Sequence, residues 1–162
     1  YGYRFDAVPT KRRIRKDSIE HHHLSVAQIK QLIAGKSIHT GDGELLHPDD
    51  CCLPAPKPWS YVYAADTRPC DAVVDAAQGA NLLYHEATFM TSERGLALKT
   101  FHSTAAEAGS IAAQANVERL LLGHLSTRYA SAQLLVEEAA TTFSGDIQVA
   151  QRGNLFTLQP TF

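Results

Sequence analysis

From Trp59 onward, apolar and polar positions come in alternating blocks that predict strands and helices in turn. Tyr61-Val62-Tyr63-Ala64-Ala65 is a short run rich in aromatic and β-branched residues and predicts a buried strand. A helical stretch from Asp71 to Gln78 follows, then a second strand at Asn81-Leu82-Leu83-Tyr84. Thr104-Ala105-Ala106-Glu107 has the form of a capping box and opens an Ala-rich helix reaching about Ala115. Arg119-Leu120-Leu121-Leu122 predicts the third strand and Ser131 to Phe143 the next helix. Ile147 to Ala150 and Leu155 to Leu158, joined at Arg152-Gly153-Asn154, predict a closing hairpin. Strand and helix in alternation are the mark of an α/β layer.

The first third is irregular by comparison. Ser25 is placed to cap a helix from Val26 to Ala34, with Val26, Ile29, Leu32 and Ile33 on one face and Gly35 as a stop. A hairpin turning at Gly41-Asp42-Gly43 follows, and Pro54, Pro56 and Pro58 make a stiff connector that a central strand would not tolerate. The pattern therefore divides the chain into residues 1–58, an arm or connector region with one helix and a hairpin, and residues 59–162, a βα half-domain. The chain opens at Tyr1 inside a strand-like run, Tyr1-Gly2-Tyr3-Arg4-Phe5, which leads to the expectation of a truncated chain.

At 162 residues, 44% of them hydrophobic, there is enough sequence to bury a core. No stretch has the apolar length of a membrane span, and no signal peptide is recognisable. The cysteines are Cys51, Cys52 and Cys70. Two are adjacent and the number is odd, which argues against a disulfide framework and for a reducing, cytoplasmic setting. The net charge of -2 makes no overall case for a nucleic-acid partner. Lys11, Arg12, Arg13, Arg15 and Lys16, however, fall within six positions, and such a run either neutralises phosphates or lines a solvated loop.

Each of the three apolar strands runs into polar residues: Asp66-Thr67, His85-Glu86 and Gly123-His124. In open α/β sheets, ligands bind beyond the carboxyl ends of strands, so these endings gather on one rim. His102-Ser103-Thr104 directly precedes the capped helix, whose first N–H groups favour an anion. Taken singly, Asp66 reads more readily as a turn residue or N-cap, and His85 and His124 as hydrogen-bonded structural residues, while His102 reads equally as part of a cap. It is their convergence that suggests a site.

Four segments carry a resemblance: Tyr63-Ala64-Ala65-Asp66-Thr67, Leu83-Tyr84-His85-Glu86-Ala87-Thr88-Phe89, His102-Ser103-Thr104, and Leu122-Gly123-His124-Leu125-Ser126-Thr127-Arg128-Tyr129. In order and spacing they resemble the motifs of ribonuclease Z, a tRNA 3′-processing endonuclease of the metallo-β-lactamase superfamily. The likeness runs from Trp59 to the end and is looser before it. It implies an α/β fold, the C-terminal βα half of the four-layer αββα metallo-β-lactamase sandwich. It further implies a zinc-dependent endoribonuclease that removes the 3′ trailer from tRNA precursors. By the same resemblance Asp66 bridges two zinc ions and His124 ligates one, with manganese as an alternative metal. His102 is the candidate proton donor and Glu86 the residue that orients it. Ser103, Thr104 and Arg128 fall at substrate-binding positions, and His85 in a supporting role. The partners implied are a tRNA precursor, a homodimer mate and the N-terminal half of the same fold.

The chain departs from that family in lacking the HxHxDH signature, which supplies most of the zinc ligands. Its only histidine cluster, His21-His22-His23, has neither the spacing nor the aspartate and reads as a solvated loop. Asp66 and His124 alone are too few for a catalytic zinc pair. The expectation is therefore that these 162 residues are inactive by themselves and seek a partner through an exposed apolar face. A Gly/Pro-rich arm, common in such relatives, has no counterpart between Ile14 and Gly35. Two rivals stand beside this reading: another metallo-β-lactamase-fold phosphodiesterase or hydrolase, and a non-catalytic binding or dimerisation module.

Overall fold

The computed structural model describes residues 2–158. In chain order the elements are β1 (Gly2–Asp6), β2 (Arg13–Ile14), α1 (Lys16–His21), α2 (Val26–Ile33), β3 (Ile38–His39), β4 (Leu45–Leu46), α3 (Pro48–Cys51) and β5 (Cys52–Leu53). After these come β6 (Ser60–Ala64), α4 (Asp71–Ala77), β7 (Leu82–Glu86), a 3-10 turn (Thr91–Glu93), α5 (Arg94–Thr100), α6 (Ala105–Gln114), β8 (Arg119–Gly123), α7 (Gln133–Ala140) and β9 (Asp146–Val149).

The chain forms two compact units. The larger comprises residues 2–6 and 59–158 and is built on a five-stranded sheet in the order β1-β6-β7-β8-β9. Strands β6 to β9 pair in parallel, while β1 pairs antiparallel with β6, bringing Gly2 opposite Ala64 and Asp6 opposite Ser60. Residues 2–6 thus join the sheet of the residues after 58, although the sequence pattern groups them with the first stretch. Their neighbour Tyr1, part of the same strand-like run, lies outside the described residues.

The buried strands β7 and β8 carry apolar runs, Leu82-Leu83 and Leu120-Leu121-Leu122, as parallel strands covered on both faces do, and β7 then ends in His85-Glu86. On β6 the pattern alternates: Ser60, Val62 and Ala64 point inward while Tyr61 and Tyr63 stay half-exposed. Val62, Ala64, Leu83, Leu120 and Leu122 meet Ile111 and Ala112 of α6 and Leu135 and Ala139 of α7 in one core. Where α6 crosses α7, Gly109 allows the close approach; a Cβ there would lie 2.5 Å from the Ala139 carbonyl oxygen. The other face carries an aromatic stripe. Tyr3 and Phe5 of β1 lie opposite Tyr63 and Tyr61, and Tyr63 stacks on Tyr84 with ring centroids 4.7 Å apart. Tyr3 and Phe5 are 61% and 51% exposed.

The closing hairpin expected at Ile147 to Leu158 does not form. Its first half becomes β9, which extends the parallel ladder on β8. The turn at Arg152-Gly153 is made, with Gly153 at φ +89, but residues 154–158 enter no strand and Leu155 is 91% exposed. β9 is the edge strand of the sheet, and residues 154–158 add no further strand to its outer side.

The smaller unit, residues 7–58, holds its own core of Leu24, Leu32, Ile38, Leu46, Cys51 and Cys52. α2 begins at a complete capping box: Gln28 N–H donates to Ser25 Oγ, and Ser25 N–H to Gln28 Oε1. β3 and β4 form the hairpin expected around Gly41 to Gly43. Within this unit the structure corrects the solvated-loop reading. The basic run passes through β2 into α1, which ends at His21. Helix and ladder bonds there include Arg15 N–H to the Cys51 carbonyl. All three cysteines are free thiols, Cys51 and Cys52 buried and Cys70 exposed. No helix among the described residues is long and apolar enough to cross a membrane.

Candidate metal and phosphate site

The tips of β6, β7 and β8 lie side by side, and the residues just beyond them do the gathering. Asp66 (φ 47) and His124 (φ 53) both take left-handed backbone, as does Phe101 (φ 61), which ends α5 and delivers His102. Such conformations cost about 1–3 kcal/mol each and persist where the surroundings impose them. At β8, Gly123 makes room: a Cβ there would lie 2.1 Å from the Tyr84 hydroxyl oxygen. Tyr84 thus lies across the strand end.

One atom each of Asp66, His102 and His124 lies within 4.8 Å of the others, the only group of this kind among the described residues. His124 Nε2 is 3.2 Å from Asp66 Oδ1, and the His102 and His124 rings stack with centroids 5.2 Å apart. Two lone pairs at that distance repel unless a proton or a cation stands between them. Carboxylate and imidazole are ligands suited to zinc and neighbouring divalent metals, so the residues present fit part of a metal site. His21, His22 and His23 form no comparable group; His22 Nδ1 instead pairs with Glu44 Oε2 at 3.2 Å.

Glu86 is fully buried beneath this trio. Its Oε1 accepts from Thr67 N–H at 2.7 Å and His102 Nδ1–H at 2.8 Å. Its Oε2 accepts from Thr88 O–H at 2.7 Å and Ser103 N–H at 3.1 Å. One carboxylate thereby ties together the loops after β6 and β7 and the segment before α6. The same segments are zipped by Phe89 N–H to the Ser103 carbonyl and Ala105 N–H to the Phe89 carbonyl.

Of the sequence-predicted residues, Asp66, Glu86, His102 and His124 are brought together. Ser103 and Thr104 are not exposed to a ligand. The Ser103 hydroxyl donates to the Thr67 carbonyl, and Thr104 Oγ1 caps α6 by accepting from Glu107 N–H. Arg128 is exposed, with its guanidinium carbon 4.9 Å from the centre of the Phe89 ring, itself 6.0 Å from His102. It bonds Ser126 Oγ at 3.0 Å and meets Glu93 at 3.4 Å. His85 faces the core: Nδ1–H donates to the Glu86 carbonyl, Nε2 is buried without a partner, and burial pushes its pKa down. Thr88 and Tyr84 hold the site together but carry no signal as isolated residue types; only the hydroxyl beside Glu86 two positions away hinted at Thr88.

Comparison with known proteins gives a consistent picture. The chain is 40% identical over 151 residues to ribonuclease Z of Porphyromonas gingivalis, which covers 93% of this chain and 50% of that protein. It is 38% identical over 156 residues to ribonuclease Z of Natronomonas pharaonis, covering 94% of this chain and again 50% of the relative. The chain spans about half the length of the curated relatives it matches. Among solved structures it is similar to the metallo-β-lactamase fold protein YhfI from Bacillus subtilis. The match has a TM-score of 0.57 and 31% identity, over 61% of this chain and 40% of that one. No family model matches. The chain resembles ribonuclease Z over nearly its whole length, and its α/β sheet is part of a metallo-β-lactamase fold.

Proposed function

We propose that this chain carries the phosphate-facing half of the active site of a ribonuclease Z, a zinc-dependent endoribonuclease that removes the 3′ trailer from tRNA precursors. The observation that carries the reading is the convergence of Asp66, His102 and His124 over buried Glu86, in a chain similar to ribonucleases Z along 93% of its length. Asp66 and His124 are the residues that would hold metal, two zinc ions in the complete site, with manganese as the alternative. A divalent metal bound there supplies positive charge to the phosphoryl oxygens and brings the pKa of water down to about 7.

The chain's own residues do the rest. His102 presents Nε2 to the departing oxygen and gives it a proton as the P–O bond breaks. Its Nδ1–H stays anchored on Glu86 at 2.8 Å, which orients the ring. A donor so positioned contributes about 10²–10⁴ in rate. Arg128, steadied over Phe89, meets a substrate phosphate. Ser103 and Thr104 serve the substrate indirectly, by fixing the His102 loop and capping α6. Of the basic run from Lys11 to Lys16, Arg12 pairs with Asp49, and the four exposed residues, Lys11, Arg13, Arg15 and Lys16, bind the tRNA backbone.

The residues holding most of the zinc belong to the other half of the sandwich. The aromatic stripe of Tyr3, Phe5, Tyr61, Tyr63 and Tyr84 is the apolar face that this N-terminal half covers. The complete protein acts in the cytoplasm as a homodimer, and the 162 residues alone are inactive and hold zinc weakly. The likeness to YhfI favours a second reading, another metallo-β-lactamase-fold phosphodiesterase.

The test is cleavage of a 3′-extended tRNA precursor, alongside a small phosphodiester, by the protein that includes this chain. Cleavage of the precursor that vanishes in D66A and H124A supports the proposal. Activity on the small diester alone moves the assignment to the second reading. Tight binding of two zinc ions by the isolated 162 residues would overturn the half-site description.

A further inference from the structure

The Thr88 hydroxyl sits at the junction of the site and has no part in the proposed reaction. Its oxygen is 2.7 Å from Glu86 Oε2, 2.7 Å from His124 Nδ1, 3.1 Å from the His124 carbonyl and 3.5 Å from His102 Nδ1. Thr88 is 8% exposed and Glu86 is fully buried. A hydroxyl has one hydrogen to give and can accept two.

That single hydrogen belongs on Glu86. Placed elsewhere, it would leave a hydroxyl oxygen and a carboxylate oxygen facing each other at 2.7 Å with lone pairs only, inside the protein where such repulsion is least screened. With its hydrogen committed, Thr88 can only accept from His124. Nδ1 of His124 must then carry the proton, which leaves Nε2 bare and turned toward Asp66 at 3.2 Å.

We propose that Thr88 is a positioning residue. Its hydroxyl extends the reach of the Glu86 carboxylate from His102 to His124, locking His124 with Nδ1 protonated and Nε2 free for a metal. Glu86 thus sets both imidazoles at once, His102 directly through Oε1 and His124 through Thr88 on Oε2. The opposing pull comes from Asp66, which would draw the proton to Nε2. Its side chain is 68% exposed and screened by water, whereas the Glu86-Thr88 pair is buried and prevails. The metal-binding consequence rests on the proposed function; the tautomer does not.

The experiment is nitrogen NMR of the histidine rings in the complete protein that includes this chain, without metal, at pH 9, where imidazole is neutral. The expected spectrum has His124 as the Nδ1–H tautomer. T88V should move it to Nε2–H or to a mixture, and T88S should restore it. A zinc titration of the same proteins should read an affinity loss of about 10–100-fold in T88V and recovery in T88S. His124 found as Nε2–H in the unaltered chain overturns the proposal without any variant, so a poorly folded T88V does not protect it. A tautomer unmoved by T88V overturns it equally. Absence of zinc binding by every protein, with the tautomers behaving as expected, counts against the functional reading and leaves the role of Thr88 standing.

Discussion

Replacing Glu86 by Gln changes one atom and sets four hydrogen bonds against each other. The carboxylate accepts four donors, two on each oxygen. An amide offers one acceptor and one donor. If its nitrogen takes the place of Oε2, Thr88 can turn its hydrogen to the His124 carbonyl, but Ser103 N–H is stranded. If the nitrogen takes the place of Oε1, His102 can change tautomer, but Thr67 N–H is stranded. Either way one backbone donor is left unpaired, at about 1–3 kcal/mol, and the two surviving bonds lose the strengthening of a charged acceptor, about 1 kcal/mol each. Relief from burying a charge offsets part of this. The expected loss settles at about 2 kcal/mol, about 30-fold in the unfolding equilibrium. Urea denaturation followed by circular dichroism reads it as a lowered midpoint at constant slope. An E86Q chain as stable as the unaltered one, or more stable, would refute the view that this carboxylate is held by its four donors.

Other outcomes follow from the same structure. Burial lowers the pKa of His85, so the unfolded chain takes up a proton at higher pH than the folded one does. Stability should therefore fall as pH drops below about 6.5, down to the lowered native value, by at most about 1.4 kcal/mol per pH unit, and H85Q should remove that share of the slope in denaturation curves between pH 8 and 5. An unchanged slope in H85Q would count against it. Gly109→Ala puts a methyl group against the Ala139 carbonyl, and overpacking of this kind costs about 1–3 kcal/mol, which calorimetry should report as a lowered melting temperature. Arg12 pairs with Asp49, leaving Lys11, Arg13, Arg15 and Lys16 as the exposed members of the basic run. Neutralising those four in the complete protein should flatten the salt dependence of tRNA binding by about 0.7–0.9 in the log–log slope for each phosphate left without its cation, and an unaltered slope would remove the run from the interface.

The parallel layer was legible because its signals are local. Three apolar runs bounded by helical stretches give β6, β7 and β8, and the Thr104 capping box appears as read. The closing hairpin failed because a local turn signal does not fix pairing: the first arm became β9 beside β8, and residues 154–158 form no strand on its open edge. α5 escaped notice because it is seven residues long and contains Gly95, so propensity alone does not raise it above a loop. In the first 58 residues the elements are two to eight residues long, and only the Ser25 cap and the glycine turn stand out. At the site, Asp66, His102 and His124 could be named from strand endings and from the resemblance. Their common dependence on Glu86, and the inward turn of Ser103 and Thr104, arise from three-dimensional hydrogen-bond partners that spacing does not encode.

β1 and β6 are neighbours in the sheet, yet residues 7–58 stand between them as a unit with its own core. The excursion leaves and returns at a pair of facing residues, Asp6 and Ser60, so its two ends are already as close as the arms of an ordinary hairpin. Such an attachment works like a cassette. What hangs from it can be exchanged, lengthened or pruned to a tight turn while the strands on either side keep their register, which gives this fold a socket where one graft can be tried after another without disturbing the chemistry at the strand tips.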